Sequence, residues 1–384
     1  MPTACVTGTA AVPNGTYKRP ERDLATDVLR EAVSTAGLSL GDVDGIYMPK
    51  PRAWTPQGFF STFLTHRLGL ELKRNLEIYT GGTSSASAFR TAVQDVRAGN
   101  VEVAVVMAAE RSSIHDTDEY FEYILELFDR EFQTPAGPSI PGVYAQSLQR
   151  YCHDFGVDRE DITEIVIKNR TNAVTNPDAL FEEPLDAEDI LDSRPISEPL
   201  RLYECPAPCD GAAALVVTTD RHRDGSENTP VEVVSTGYHH PPSHFIGARG
   251  HDLSELPAAG AAMSEALDAA NIEVDDLDVF EPYAPFPHIE AILTEELGVF
   301  ERGEGVSACV DSATSVDGRF PVSPSGGCLG RGHPAMVTPL LNYLAAVRQA
   351  RGTAPNQVSN VEYVLTTAEH GHVDGVNATV FGGA

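Results

Sequence analysis

The chain has 384 residues and a formal net charge of −29, from 56 aspartates and glutamates against 27 lysines and arginines. That length suits two domains or one duplicated unit and allows a sizeable core. So much acid excludes nucleic acid and an anionic membrane as main partners, and an anionic ligand would need its own pocket of arginines and amide dipoles.

The lysines are Lys18, Lys50, Lys73 and Lys168, and the acid is spread along the chain with no single tail. A distributed carboxylate surface holds water and cations, so a halophilic cytoplasm is the expected setting. No secretory signal, membrane-length apolar run or lipidation motif is read, which also points to the cytoplasm. Cys5, Cys152, Cys205, Cys209, Cys309 and Cys328 are scattered and read as free thiols. Cys205 and Cys209 have the look of half a zinc site, but no second pair accompanies them, so no metal is expected.

Ala4 to Ala11 reads as a strand, Leu24 to Ala36 as a helix stopped by Gly37, and Val43 to Met48 as the next strand. Phe59 to Leu68 is a helix and Asn75 to Tyr79 a strand. The loop Thr80-Gly-Gly-Thr-Ser-Ser85 then leads to a helix from about Ala86 to Ala98. Val101 to Ala108 is a strand of the buried, parallel-sheet kind. Strands alternating with helices imply an α/β layer fold.

From Ser112 to Leu200 the pattern loosens into an inserted helical lid, with helices at Tyr120 to Phe132, Pro141 to Phe155 and Ile162 to Asn172. Gly211 to Thr218 is a strand, and a charged linker follows from Asp220 to Pro230. The second half then repeats the first. Ala266 to Asp278 lies over Ala32 to Asp44 at constant offset, matching Ala36 with Ala270, Leu38 with Ile272, Asp42 with Asp276 and Asp44 with Asp278. The expected units are residues 1–111 with 201–225, the lid 112–200, and a C-terminal half 226–384.

Ligands in such folds collect where strands end and helices begin. Four loops qualify: Gly81 to Ser85, Glu281 to His288, Gly326 to His333, and Thr366 to Asp374. The third belongs to Pro324-Ser-Gly-Gly-Cys-Leu-Gly-Arg-Gly-His333-Pro334, just before a helix from Met336 to Arg348. Its glycines allow close backbone approach, and Pro334 suits a first helical turn, which places His333 at the helix mouth. An imidazole there has amides and a positive dipole end beside it, and can give or take a proton. A plain Gly-rich turn with an incidental histidine is the other reading.

With these segments in hand, the chain resembles the thiolase superfamily, in its sterol-carrier-protein-type, lipid-transfer-like branch, over nearly its whole length. The Gly-Gly-x-x-Gly-x-Gly-His-Pro run ending at Pro334 carries the resemblance, with Ala98 to Glu110, Asp210 to Ala214 and the closing Asn-Ala-Thr-Val-Phe-Gly in support. It implies two α/β halves in five layers (α-β-α-β-α), a homodimer, and coenzyme A thioesters as substrates with no tightly bound cofactor. The chain resembles a haloarchaeal β-ketothiolase or acetyl-CoA acetyltransferase subunit.

The family's catalytic positions carry over unevenly. Its nucleophilic cysteine falls on Gly82, with Ser84 and Ser85 following; a serine takes the acyl group if His333 is its base, or merely caps the helix. Its second position falls on Tyr283, with His288 nearby; a histidine entering a helix is more often a surface or capping residue. His333 is retained. The last, a proton-moving cysteine, falls on His370, with His372 one register away. Gly82, Gly326, Gly327, Gly330 and Gly332 are the candidate coenzyme A and oxyanion backbone.

The resemblance thus implies a ketothiolase-type acyltransferase using Ser84 or Ser85, His333 and His370. An alternative is a cysteine-free retro-aldolase of β-hydroxyacyl-CoA with Tyr283 as base, and another a non-catalytic coenzyme A-binding subunit. A separate OB-fold partner with a zinc ribbon is expected. Phe59, Phe60, Tyr120, Phe121, Tyr144 and Phe286 are left unassigned, as aromatics at helical spacing are usually core.

Overall fold

The computed structural model describes residues 2–52, 55–219, 229–240, 252–369 and 375–382. Most of the linker read at Asp220 to Pro230, together with His370 and His372, lies outside the described residues.

The N-terminal half contributes β1 (Ala4–Gly15), β2 (Gly45–Pro49), β3 (Arg74–Ile78), β4 (Val103–Glu110) and β7 (Asp210–Thr219). The C-terminal half contributes β8 (Val231–His239), β9 (Val279–Glu281), β10 (Tyr363–Ala368) and β11 (Val376–Gly382). They form one mixed sheet in the order β3-β2-β4-β7-β1-β8-β11-β10-β9. Its halves join where Cys5 pairs with Glu232 and Val6 with Val231.

The duplication extends to the pairing. In the first half β1, β7 and β4 are antiparallel, and β4, β2 and β3 then run parallel. In the second, β8, β11 and β10 are antiparallel and β10 runs parallel to β9. A parallel bridge from Phe280 to Val322 stands where β3 stands in the first half. The repeated aspartates hold this register: Asp44 accepts the backbone N–H groups of Glu102 and Val103, and Asp278 those of Glu362 and Tyr363. Each carboxylate satisfies amides that a strand end would otherwise leave open.

Helix α1 (Glu21–Thr35) lies on β1 through Gly8, where a Cβ would come within 2.1 Å of Ala32 O. Helix α8 (Pro257–Ala270) lies on β8 through Gly237, where a Cβ would come within 2.1 Å of Ala262 O. The sequence overlay sets Ala36 over Ala270, but the packing contact matches Ala32 and Ala36 with Ala262 and Ala266. The second helix runs one turn further past its glycine.

Among the described residues three large apolar cores follow. One lies under α1 and α2 (Phe60–Leu68). A second lies under α8, α9 (Pro287–Leu297) and α5 (Ile140–Phe155). The central core joins α3 (Ser84–Arg97) to α12 (Thr338–Arg351), with Phe89 and Tyr343 ring centroids 4.6 Å apart and strands of both halves around them. Helices therefore cover both faces of each half, with a shared helical layer in the middle.

Between β4 and β7 lie α4 (Thr117–Ile124), α5, α6 (Arg159–Ala173) and α7 (Ala187–Asp192), with a ribbon of β5 (Pro195–Ser197) and β6 (Leu200–Arg201). The helix expected at Tyr120 to Phe132 ends at Ile124. Beyond it the Asp129 carboxylate accepts the N–H groups of Glu131 and Phe132, a local bond that competes with helix. Helix α6 is tied to the C-terminal half through buried polar groups: Lys168 Nζ lies 2.5 Å from Glu290 and 2.9 Å from Val322 O, and Asn169 donates to the same carboxylate. Each member has a partner, which makes a buried ion pair tolerable. Among the described residues no helix is long and apolar enough to cross a membrane.

Candidate active site

The Gly-rich run is not an open loop. It forms a short helix, α11 (Gly327–Arg331), and its glycines face the inserted α6. A Cβ on Gly330 would meet Asn169 O at 2.2 Å, and one on Gly326 would meet Ala173 at 2.8 Å. Gly332, at φ 89°, has Leu180 and Cys209 where a side chain would go. Their visible role is close packing of α11 on the insertion.

Arg331 fixes the run from within. Its buried guanidinium donates to Ser325 Oγ at 3.0 Å and to Asn342 Oδ1. Glu281, which ends β9, accepts from the Ser325 amide at 2.9 Å and hydroxyl at 2.7 Å. Burial raises the Glu281 pKa, opposed first by Arg331. The strand that delivers Tyr283 and the segment that delivers His333 are thereby clamped together.

His333 is not at a helix mouth as its neighbour Pro334 suggested. Helix α12 begins at Thr338, with Pro339 in its first turn, while Pro334 O closes a tight turn onto Val337 and Thr338. His333 instead runs alongside Pro208, its N–H bonded to Ala207 O at 2.9 Å. Gly211 leaves the space that Pro334 fills; a Cβ there would lie 2.8 Å from the proline ring. Beyond the turn, Glu110 at the end of β4 accepts the Met336 N–H at 2.7 Å.

Tyr283 and His333 meet. The phenol oxygen is 2.7 Å from Nε2, the rings are close to edge-on at 70°, and both side chains are buried. The Tyr283 N–H points to Thr367 Oγ1 at 3.3 Å, which places it beside the end of β10. Burial pushes the Tyr283 phenol well above its ordinary value, with Cys328 and Tyr144 adding to the rise. Desolvation disfavours the phenolate, so the phenol rests protonated with the His333 imidazole as its hydrogen-bond partner.

The surrounding wall is aromatic and thiol-bearing. Tyr144 stacks on Phe286 with centroids 4.1 Å apart. Burial drives Cys328 and Cys209 up to about 12, so neither is a standing thiolate nucleophile. His288 is fully buried in the first turn of α9, its Nε2 3.2 Å from Ser147 Oγ, rather than on the surface. Of the unassigned aromatics, Tyr144 and Phe286 belong to this wall, whereas Phe59 is 80% exposed.

The serines sit differently from one another. Helix α3 starts at Ser84, two residues earlier than its periodicity suggested, and Thr83 holds the N-cap position. The Ser84 hydroxyl accepts the Thr80 N–H at 2.9 Å and donates to Gly81 O, which occupies it within its own loop. Ser85 Oγ is buried without a hydrogen-bond partner among the described residues. Gly82 is buried one residue before that cap.

The sequence analysis assigned no role to Glu369, the residue before His370. Glu369 follows β10 directly and is fully buried. The available signal was an acid closing the apolar strand Tyr363–Ala368. Among the described residues no cluster of histidine, cysteine, aspartate or glutamate has metal-holding geometry.

Residues 243–383 match the family model described as thiolase C-terminal domain-like. A 17-hydroxy-3-oxo-4-pregnene-20-carboxyl-CoA lyase of Mycobacterium tuberculosis is 30% identical over 364 residues, 92% of each chain. An acetyl-CoA acetyltransferase of Methanothermobacter thermautotrophicus is 29% identical over 350 residues, 90% of each. A solved structure described as Ltp2-ChsH2(DUF35) aldolase superposes with a TM-score of 0.87 at 26% identity, covering 99% of this chain and 97% of that one.

Proposed function

Because this chain belongs to the thiolase superfamily, in its sterol-carrier-protein-type branch, we propose that it cleaves a carbon–carbon bond in a β-hydroxyacyl-CoA by a retro-aldol step. The observation that carries this reading is the buried 2.7 Å contact between Tyr283 and His333. Tyr283 takes the proton of the β-hydroxyl as its own passes to His333 Nε2. The C3–O bond becomes a carbonyl, the C2–C3 bond breaks, and its electrons form the thioester enolate. No covalent acyl-enzyme is needed, which suits a glycine at position 82 and two cysteines held as thiols. The lyase and aldolase relatives support the same direction.

Backbone amides near Gly82 and in the Gly326–Gly332 segment are the proposed holders of the thioester oxygen and coenzyme A, in line with the oxyanion role such amides play elsewhere. We also propose a homodimer with a separate OB-fold, zinc-ribbon partner; a DUF35 protein is named beside the aldolase in the similar structure.

A second reading, ketothiolase-type acyl transfer, has one observation in its favour: the buried and unbonded Ser85 hydroxyl in the first turn of α3. Acetyl-CoA acetyltransferase relatives support it too. In that reading His333 activates the serine and His370 moves the α-proton.

Intact-mass measurement after mixing with acetoacetyl-CoA in high salt, with and without a co-expressed partner, separates the two. The retro-aldolase gives no adduct, cleaves a β-hydroxyacyl-CoA, and loses at least 10²-fold in rate in Tyr283→Phe. A stable acetyl adduct mapping to Ser85, with no β-hydroxyacyl-CoA cleavage, would establish the transferase instead.

A further inference from the structure

We infer that Glu369, as its carboxylic acid, is the group that delivers a proton to C2 of the acyl thioester, a role that rests on the carbon–carbon cleavage proposed above. Three observations place it there. Glu369 has no exposed surface, and among the described residues neither carboxyl oxygen has a hydrogen-bond partner in good geometry. It stands two residues beyond Thr367, whose hydroxyl receives the Tyr283 N–H at 3.3 Å. Tyr144 and Cys328 are electrostatic neighbours of Glu369 and of Tyr283 alike. Glu369 therefore stands at the strand end against which Tyr283 and, through it, His333 are placed.

A buried carboxyl with no well-made hydrogen bond among the described residues costs stability that packing does not repay. Desolvation holds it far above its ordinary range, with the nearby Thr367 hydroxyl pulling weakly the other way. It rests neutral and carries the proton that an enolate carbon needs. In the cleavage direction the C2–C3 electron pair goes to C2, and the Glu369 O–H proton follows it. Tyr283 and His333 have gained the β-hydroxyl proton, Glu369 has lost one, and solvent exchange resets both.

The reverse of that step can be read without any β-hydroxy substrate. Enzyme incubated with acetyl-CoA or propionyl-CoA in D2O, with its partner co-expressed, should wash deuterium into C2, followed by mass spectrometry. Glu369→Gln should lower this exchange at least 10²-fold while keeping a thermal midpoint no lower than the wild type. Glu369→Asp, one methylene shorter, should retain a measurable part of it. Tyr283→Phe should lose cleavage yet retain exchange. Exchange that survives in Glu369→Gln, that disappears in His370→Ala alone, or that is missing from the wild type overturns the assignment. Wild-type exchange that depends on Glu369, without cleavage of any β-hydroxyacyl-CoA, leaves Glu369 its role and removes the aldolase reading.

Discussion

The Tyr283 hydroxyl and His333 Nε2, fifty residues apart in the chain, meet in one buried hydrogen bond 2.7 Å long. Two groups that act as a unit lose their effect together, so their substitutions should not add. Tyr283→Phe and His333→Gln are each expected to lower kcat for cleavage by about 10²–10⁴-fold. The double variant should fall within a few-fold of the worse single one. Multiplied losses in steady-state kinetics would mean two separate roles.

Glu21, at the start of α1, has its pKa pushed up to about 7, chiefly by burial, against a 2.9 Å hydrogen bond from Thr55. A carboxyl whose folded pKa is raised favours folding at pH values below its unfolded pKa. That contribution is lost as pH rises towards the folded value. Glu21→Gln should therefore be more stable than the parent at pH 8, by on the order of 1–2 kcal/mol after allowing for its partial exposure. Near pH 4 the advantage should vanish. Thermal midpoints of both proteins across that range give the answer, and parallel curves would contradict it.

Gly8 and Gly237 occupy the same place in the two halves, each against a helix carbonyl 2.1 Å from a hypothetical Cβ. Gly8→Ala and Gly237→Ala should cost similar amounts, roughly 1–3 kcal/mol each, by forcing helix from strand. Gly41 is the control, because a Cβ there meets nothing nearer than Ser39 Oγ at 3.8 Å. Gly41→Ala should be neutral or stabilising by about 0.5 kcal/mol in denaturant titrations.

A net charge of −29 makes self-repulsion a term that salt can relieve. The thermal midpoint should rise steadily as KCl is raised from about 0.1 M, where the Debye length is near 10 Å, to several molar. A flat response would remove the halophilic interpretation of the composition.

The layered fold was legible because its signals are local and repeated. Asp44 and Asp278 mark the two halves in the sequence, and both turn out to hold strand-end amides. The glycine run and His333 were legible as a motif, but their setting was not. Pro334 looked like a helix start, whereas turn bonds to its carbonyl delay α12 until Thr338. Tyr120 to Phe132 read as helix since periodicity cannot register the Asp129 carboxylate capturing two amides. Tyr283 was visible only as an odd residue at a family position. Its bond to His333 depends on the Glu281–Ser325–Arg331 clamp, a tertiary arrangement that no spacing encodes. Glu369 stayed hidden for the same reason, since an acid after a strand normally reaches water.

The packing of Gly326 and Gly330 against Ala173 and Asn169 also bears on how the chain is made. On the ribosome α6 emerges long before the segment that completes its environment, and until then Lys168 lacks Glu290 and Asn172 lacks the Ser323 carbonyl. The insertion must wait, polar side chains hydrated, for most of the second half to appear. Stalled or truncated chains ending before Gly326 would expose that helix face, which makes them the natural clients of chaperones and proteases.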